Sequence, residues 1–313
     1  MNTQKILMVL TSHRLDCFRL CMDMLLHGGS IRRFDRVVLL LNGVRGRHLR
    51  YVHRLLRTHP EIPWDIISGP RGRGKFISGL QNQCVEKYPD ALYFKIDEDT
   101  FVSANWDMML TEAYQAYQHD PLLSLVSAVI PNNGLGCWYL LNQFPNLRDD
   151  FLCLPHAKWD SACNSSIWFY PHLATWMIRT FLDLEEGNRK LRETIASPFF
   201  EFHRRFSINC IAYDYRHWKE IGGVQEQDEV GWGAWIEQHN KTVVLATRAL
   251  VHHYTFFNQQ DWLDRSSLLE DLRTANVPTT PFQRSWLGRI FPRMGRIWQQ
   301  IPSLIRRRLT RSN

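Results

Sequence analysis

The sequence predicts an α/β protein: a mostly parallel sheet flanked by helices. Three observations lead to this. Strand-like and helix-like segments alternate through the first hundred residues. The strand-like runs (ILMVL, VVLLL) are continuously apolar, as strands covered on both faces are. Turn signals, Gly28-Gly29, Asn42-Gly43 and Pro60, separate the segments.

Residues 5–12 (KILMVLTS) read as a buried strand, and 15–26 as a helix ended by Gly28-Gly29. A second strand, 36–41, is closed by Asn42-Gly43. Residues 46–58 are helical and stopped by Pro60. A third strand, 64–69, precedes a helix over 75–88 with Phe76, Leu80, Cys84 and Tyr88 on one face. Residues 91–96 (ALYFKI) form the fourth strand. Further on come a strand at 122–130, a loop at 131–137 (PNNGLGC), and a Trp-rich middle reaching about residue 182. A polar helix is expected at 180–192, a strand at 207–213, a helix at 230–240 and a strand at 242–246. A last strand-like run, 249–254, ends near two histidines. No internal repeat or low-complexity segment is present.

The chain has 313 residues, 44% hydrophobic and 22% charged, which excludes whole-chain disorder and collagen-like structure. Its seven cysteines are scattered, with no C-x-x-C, so neither a zinc ribbon nor a disulfide framework is expected and a reducing compartment fits. The apolar run 6–10 is shorter than a signal-peptide core, and no run approaches a membrane span. A cytoplasmic protein is expected.

The formal charge of +7 is uneven. Residues 284–313 hold eight arginines and no acid. Without them the chain has 30 basic residues against 31 acids, a body of about −1. The same stretch carries Trp286, Ile290, Phe291, Ile297, Trp298 and Ile301 at helical spacings, interrupted by Pro292 and Pro302. Arginines opposite Trp and Ile suit an amphipathic helical tail lying peripherally on an anionic membrane surface. The bland alternative is a packed terminal helix with solvated arginines. Nucleic acid is not an expected partner, because the body shows no basic groove or nucleic-acid motif.

Asp97-Glu98-Asp99 closes the fourth strand, where ligands of such sheets bind. Crowded carboxylates repel one another unless a cation neutralises them, and hard ions such as Mn2+ or Mg2+ take oxygen ligands of this kind. Residues 96–147 contain no Lys or Arg to pair with them. A solvated acidic turn is the alternative. Gly69-Pro70-Arg71-Gly72-Arg73-Gly74-Lys75 nearly spells a P-loop. Phe76 stands where a P-loop needs Ser or Thr, so a P-loop is rejected. Arg71, Arg73 and Lys75 at a helix start still favour an anion such as a nucleotide diphosphate. Asp228 and Glu229 precede a helix and read either as capping acids or as a general base. His252 and His253 follow a strand-like run, and one of them could complete a metal shell. Trp138, Tyr139, Trp159, Trp168 and Trp232 are candidates for stacking on sugar faces, though core packing explains most of them as well.

In this order the motifs resemble the GT-A glycosyltransferases, particularly the family 2 type. The resemblance rests on Leu10-Thr11-Ser12-His13-Arg14, Gly72-Arg73-Gly74-Lys75, Asp97-Glu98-Asp99, Trp218-Lys219-Glu220-Ile221-Gly222-Gly223, Asp228-Glu229 and a late histidine, over about residues 5–255. It implies a metal-dependent, inverting enzyme that moves a sugar from a nucleotide-sugar, most commonly a UDP-sugar, to a glycan or lipid-linked acceptor, as in envelope polysaccharide synthesis. It implies metal on Asp97 and Asp99 with His252 or His253. Glu229 or Asp228 is the base, and Thr11, Arg14, Asn42, Arg73, Lys75 and Asp97 contact the nucleotide. The acids many members carry after the second strand are replaced by Asn42-Gly43-Val44. The expected domains are a GT-A body over 1–260, with a donor half to about 103 and an acceptor half from 104, and a basic helical extension over 261–313. A sugar-phosphate nucleotidyltransferase and an inactive GT-A-like scaffold are the alternatives.

Overall fold

The computed structural model describes residues 3–159, 162, 165–227, 229–254 and 259–278. The chain divides into a unit Met1–Asn276 and a unit Val277–Asn313, and nearly all described residues belong to the first. That unit therefore runs past residue 260. The expected tail at 284–313 lies outside the described residues.

The elements in chain order are β1 (Lys5–Thr11), α1 (Leu15–His27), β2 (Arg36–Asn42), α2 (Gly46–Thr58), β3 (Trp64–Gly69), α3 (Lys75–Lys87), β4 (Leu92–Asp97), β5 (Thr100–Val102), α4 (Trp106–Tyr117), β6 (Leu123–Val129), α5 (Gly134–Gln143) and α6 (Pro145–Leu152). There follow α7 (Pro171–Thr180), α8 (Leu184–Thr194), β7 (Phe199–Phe202), β8 (Cys210–Asp214), α9 (Tyr215–Ile221), α10 (Glu229–Gln238), β9 (Thr242–His253), α11 (Gln260–Asp264) and α12 (Leu268–Asn276).

The strands form one sheet in the order β3-β2-β1-β4-β8-β6-β9-β5, with β7 also on β9. β1, β2, β3, β4, β6 and β9 run one way, and β5, β7 and β8 run against them. The parallel strands β1, β2 and β4 are buried on both faces, which explains their apolar sequences, while β3 at the sheet edge is only partly buried. One core cluster joins Met8, Leu40, Leu80, Tyr93, Tyr213 and Trp232 across the sheet and the helices α3 and α10.

The first four strands and three helices stand where the sequence puts them, to within a residue or two. The second half differs more. The loop expected at 131–137 is half helix, because Asn133 accepts a hydrogen bond from the Leu135 N–H and starts α5. The polar helix begins at Leu184 rather than 180, where Asp183 caps the Glu185 and Glu186 N–H groups at 3.0 Å. The two late strands are one, β9, with an irregularity between Ala246 and Leu250 in its pairing to β6. The short β5 and the helix α4 are additions to the elements expected from the sequence.

The body is not electrically bland. α2 carries Arg47, Arg50, Arg54 and Arg57, all exposed, and has no acid in its sequence. The near-zero total charge of the body hides this basic helix face, which was not singled out in the sequence.

Candidate active site

β4 ends at Asp97, and the chain turns through Glu98 and Asp99 into β5. β5 pairs antiparallel with the end of β9, with Thr100 opposite His253 and Phe101 opposite His252. This register decides between the two histidines, because neighbouring strand residues point to opposite faces. His253 Nε2 lies 3.5 Å from Asp99 Oδ2. His252 points the other way and is corrected as a ligand candidate: it is fully buried, with Nε2 2.7 Å from the Phe181 carbonyl. Burial alone would lower the His253 pKa, but Asp99 outweighs it and the imidazole sits above its ordinary value. Burial takes His252 down to about 4.

The three acids have three different surroundings. Asp97 is neutralised by a lysine: Lys95 Nζ is 2.8 Å from Oδ1 and also donates to the Ile208 carbonyl at 3.0 Å. The reading that no cation stands near these acids missed Lys95 by one position. Asn209 Nδ2 donates to Asp97 Oδ2 at 2.6 Å. Glu98 turns back into the protein. It accepts from the Thr11 hydroxyl at 2.7 Å and from the Ser12, His13 and Arg14 N–H groups at 3.0–3.1 Å. It thus clamps the β1–α1 loop, and burial pushes its carboxyl above the usual range despite those donors. Asp99 alone is left facing His253.

A cleft of about 920 Å³ opens at this end of the sheet. Asp97, Glu98, Asp99 and His253 line it together with Asn42, Arg71, Arg73, Glu229, Arg205 and Trp168. Several expected contacts lie elsewhere. Thr11 is fully buried, does not line the cleft and spends its single proton on Glu98, so it holds the loop rather than a nucleotide. Its oxygen, 3.0 Å from His48 Nε2, must then accept from that imidazole. Lys75 does not line the cleft; its ammonium sits 5.6 Å from the Phe76 ring. Arg14 lines the cleft, but its guanidinium is bonded to Asp16 and Asp264. Asp228 lies outside the described residues.

Asn42 grips the glycine-rich loop from both sides, donating to the Gly72 carbonyl at 2.8 Å and accepting from its N–H at 2.9 Å. Gly43, at φ +69°, donates to the Gly69 carbonyl at 3.0 Å. These bonds hold Arg71 and Arg73 at the cleft. The W-x-x-I-G-G segment is a helix stop. Gly222 ends α9 in the left-handed region, and the Gly223 N–H bonds the Trp218 carbonyl at 2.9 Å. Asn82 of α3 accepts from Trp218 Nε1 and from the Val224 N–H, both at 2.8 Å. The segment that leads to Glu229 is anchored in this way.

Glu229 opens α10 and lines the cleft. Its Oε1 is 3.0 Å from Arg205 Nε, and its Oε2 accepts from the Ile208 N–H at 3.3 Å. Arg205 lies over the Trp168 ring at 4.5 Å. Of the aromatic candidates, only Trp168 lines the cleft. Trp138 and Tyr139 pack on Phe200, Trp159 lies under Arg148, and Trp232 is in the core. Arg205, Asn209 and Lys95 are site residues that the sequence reading did not find. Asn209 became findable only once β8 was known to lie antiparallel beside β4, with Cys210 opposite Ile96.

Among the described residues no group of three or more His, Cys, Asp and Glu side chains is arranged around a common metal position. Asp99 with His253 makes a two-donor oxygen and nitrogen set. That fits an ion such as Mn2+ which takes its remaining ligands from a bound diphosphate and water.

The fold is the GT-A fold of nucleotide-sugar transferases. The chain matches a mannosyltransferase from Pyrobaculum calidifontis, PcManGT, solved with GDP-Man and Mn2+. That match has a TM-score of 0.50 at 13% identity and covers 97% of this chain and 81% of that one. A match to GalNAc-T7, solved with UDP, GalNAc and Mn2+, has a TM-score of 0.49 at 11% identity, covering 91% of this chain but 48% of that one. One to S. aureus TarS 1–349 covers 41% of this chain at a TM-score of 0.33. No protein-family model and no curated protein sequence matches the chain.

Proposed function

We propose that the protein is a metal-dependent glycosyltransferase that moves a sugar from a nucleotide-sugar, a UDP-sugar by preference, to a glycan or lipid-linked acceptor hydroxyl with inversion. The observation that carries this reading is the Asp99–His253 pair, at 3.5 Å, lining the same cleft as the arginine loop at the carboxyl ends of the parallel strands. A protein of the same fold holds a nucleotide-sugar and Mn2+.

Asp99 and His253 hold the divalent cation in this reading. When bound, the ion supplies positive charge against the departing nucleoside diphosphate. Arg71 and Arg73 bind the phosphates, and Asn42 keeps their loop in place. Lys95 and Asn209 orient Asp97 at the donor site. Glu229 accepts the proton of the attacking hydroxyl, with Arg205 aiming its carboxylate. Trp168 offers a ring to the acceptor side. The arginine-rich stretch 284–313 brings the enzyme to an anionic membrane, and envelope polysaccharide assembly is the setting this suits.

The test is a panel of nucleotide-sugars scored by nucleoside diphosphate release, with and without Mn2+. Release that needs both a donor and the ion supports the reading. Pyrophosphate release from an NTP and a sugar phosphate would replace it with a nucleotidyltransferase. No turnover together with no metal-dependent nucleotide binding would leave a scaffold.

A further inference from the structure

We propose that the exposed face of α2, together with Arg19 of α1, is a docking surface for an anionic lipid bilayer. This goes beyond the reaction proposed above and does not depend on it. Arg47, Arg50, Arg54 and Arg57 are spaced three, four and three residues apart. At 100° per residue they fall within an arc of about 80°, along about 15 Å of helix. All four are exposed, as is Arg19, and these five side chains surround one shallow depression of about 410 Å³ together with Tyr51. A second depression, of about 590 Å³, is lined by Arg50, His53, Leu56 and Arg57.

Among the described residues none of the five arginines forms an ion pair, whereas Arg14, Arg32, Arg33, Arg189, Arg205 and Arg273 all do. A body with a total charge near zero has gathered unneutralised cations on one helix. Such a stripe repels itself, and an anionic partner relieves the repulsion.

The shape favours a plane over a strand. The arginines project from one helix rather than from two walls of a groove. Single-stranded nucleic acid also needs exposed ring faces, and the only ring in the depression has Arg19 and Arg54 over it at 5.2 and 5.3 Å. Stable adsorption by charge needs several contacts at once, and residues 284–313 of the same chain supply eight more arginines without an acid.

Co-sedimentation of the full chain with vesicles tests this. Wild type is compared with the triple variant Arg50→Gln, Arg54→Gln, Arg57→Gln on phosphatidylcholine alone and with about 30 mol% phosphatidylglycerol. These side chains lie on the surface and outside the cleft, so the variant keeps its circular dichroism and melting temperature. Wild type should bind only the anionic vesicles, and binding should weaken as salt rises. At about fivefold per arginine, the triple variant should partition about 100-fold more weakly. Undiminished vesicle binding by the folded variant would overturn the proposal, as would equal binding to neutral lipid. Loss of binding to a single-stranded oligonucleotide with vesicle binding intact would assign the face to nucleic acid instead.

Discussion

Asp97 and Asp99 stand two positions apart in sequence but should respond differently to the same substitution. Asp97→Asn strips the fully buried Lys95 of its counter-charge, so the variant should lose about 3 kcal/mol of stability in a urea titration. Asp99→Asn leaves the Lys95–Asp97 pair intact, so it should cost less stability than Asp97→Asn in the same titration while Mn2+-dependent turnover falls by about 100-fold or more. If the two variants unfold alike, the division of labour between the acids is wrong. Glu229→Gln keeps the size of the side chain and its reach to Ile208 N–H but removes the base. It should lower turnover about 100-fold or more with little change in donor binding, measured as kcat against KM. The two carboxylates were legible in the sequence because three acids in a row closed an apolar strand. Their unlike surroundings were not, because Lys95 reads as part of the strand and Asn209 arrives from just before β8, more than a hundred residues on.

At the scale of elements, the cleft is held by loops that glycines and buried polar groups shape. A Cβ at Gly43 would lie 2.6 Å from the Arg71 Cα, in a backbone conformation at φ +69° that side chains disfavour. Gly43→Ala should therefore displace the arginine loop, cost about 2 kcal/mol and weaken nucleotide binding at the same time. Unchanged nucleotide affinity in the folded variant would show that the loop does not touch the ligand. The parallel half of the sheet was readable because each strand is a local apolar run bounded by turn residues. The β5–β9 pairing was not, since three residues, Thr100–Val102, carry no periodicity and their partner lies about 150 residues on. That long-range register is what separates His253 from His252. The basic stripe of α2 was printed in the sequence, but only helical spacing read together with exposure turns it into a face.

Across the whole molecule, three imidazoles are buried neutral. Burial lowers His48 and His252 to about 4 and His217 to about 3. His217 shows why: Trp232 Nε1 donates to its Nε2 at 2.9 Å, which leaves that nitrogen no room for a proton. Unfolded, each group takes a proton as pH falls through about 6.5. Folded, none does until about 4 or below. These three groups bind fewer protons folded than unfolded in that window, so their contribution is present above about pH 6.5 and is lost on acidification, by up to about 1.4 kcal/mol per pH unit for each, while Glu98 and His253, held above their ordinary values, act in the opposite sense and offset part of it. Melting at pH 7 and pH 5 should show a clear drop at the lower value. Equal midpoints would mean that these histidines are solvated.

The central claim is that Asp99 and His253 form a cation site that holds a nucleotide diphosphate in the cleft. Calorimetric titration of UDP and of GDP into the full chain, with Mn2+ and after chelation, tests it most directly on wild type and on Asp99→Asn. The expected result is binding that requires Mn2+ in wild type and weakens about 100-fold in the variant. Nucleotide binding of equal strength without the ion, or in Asp99→Asn, would contradict it.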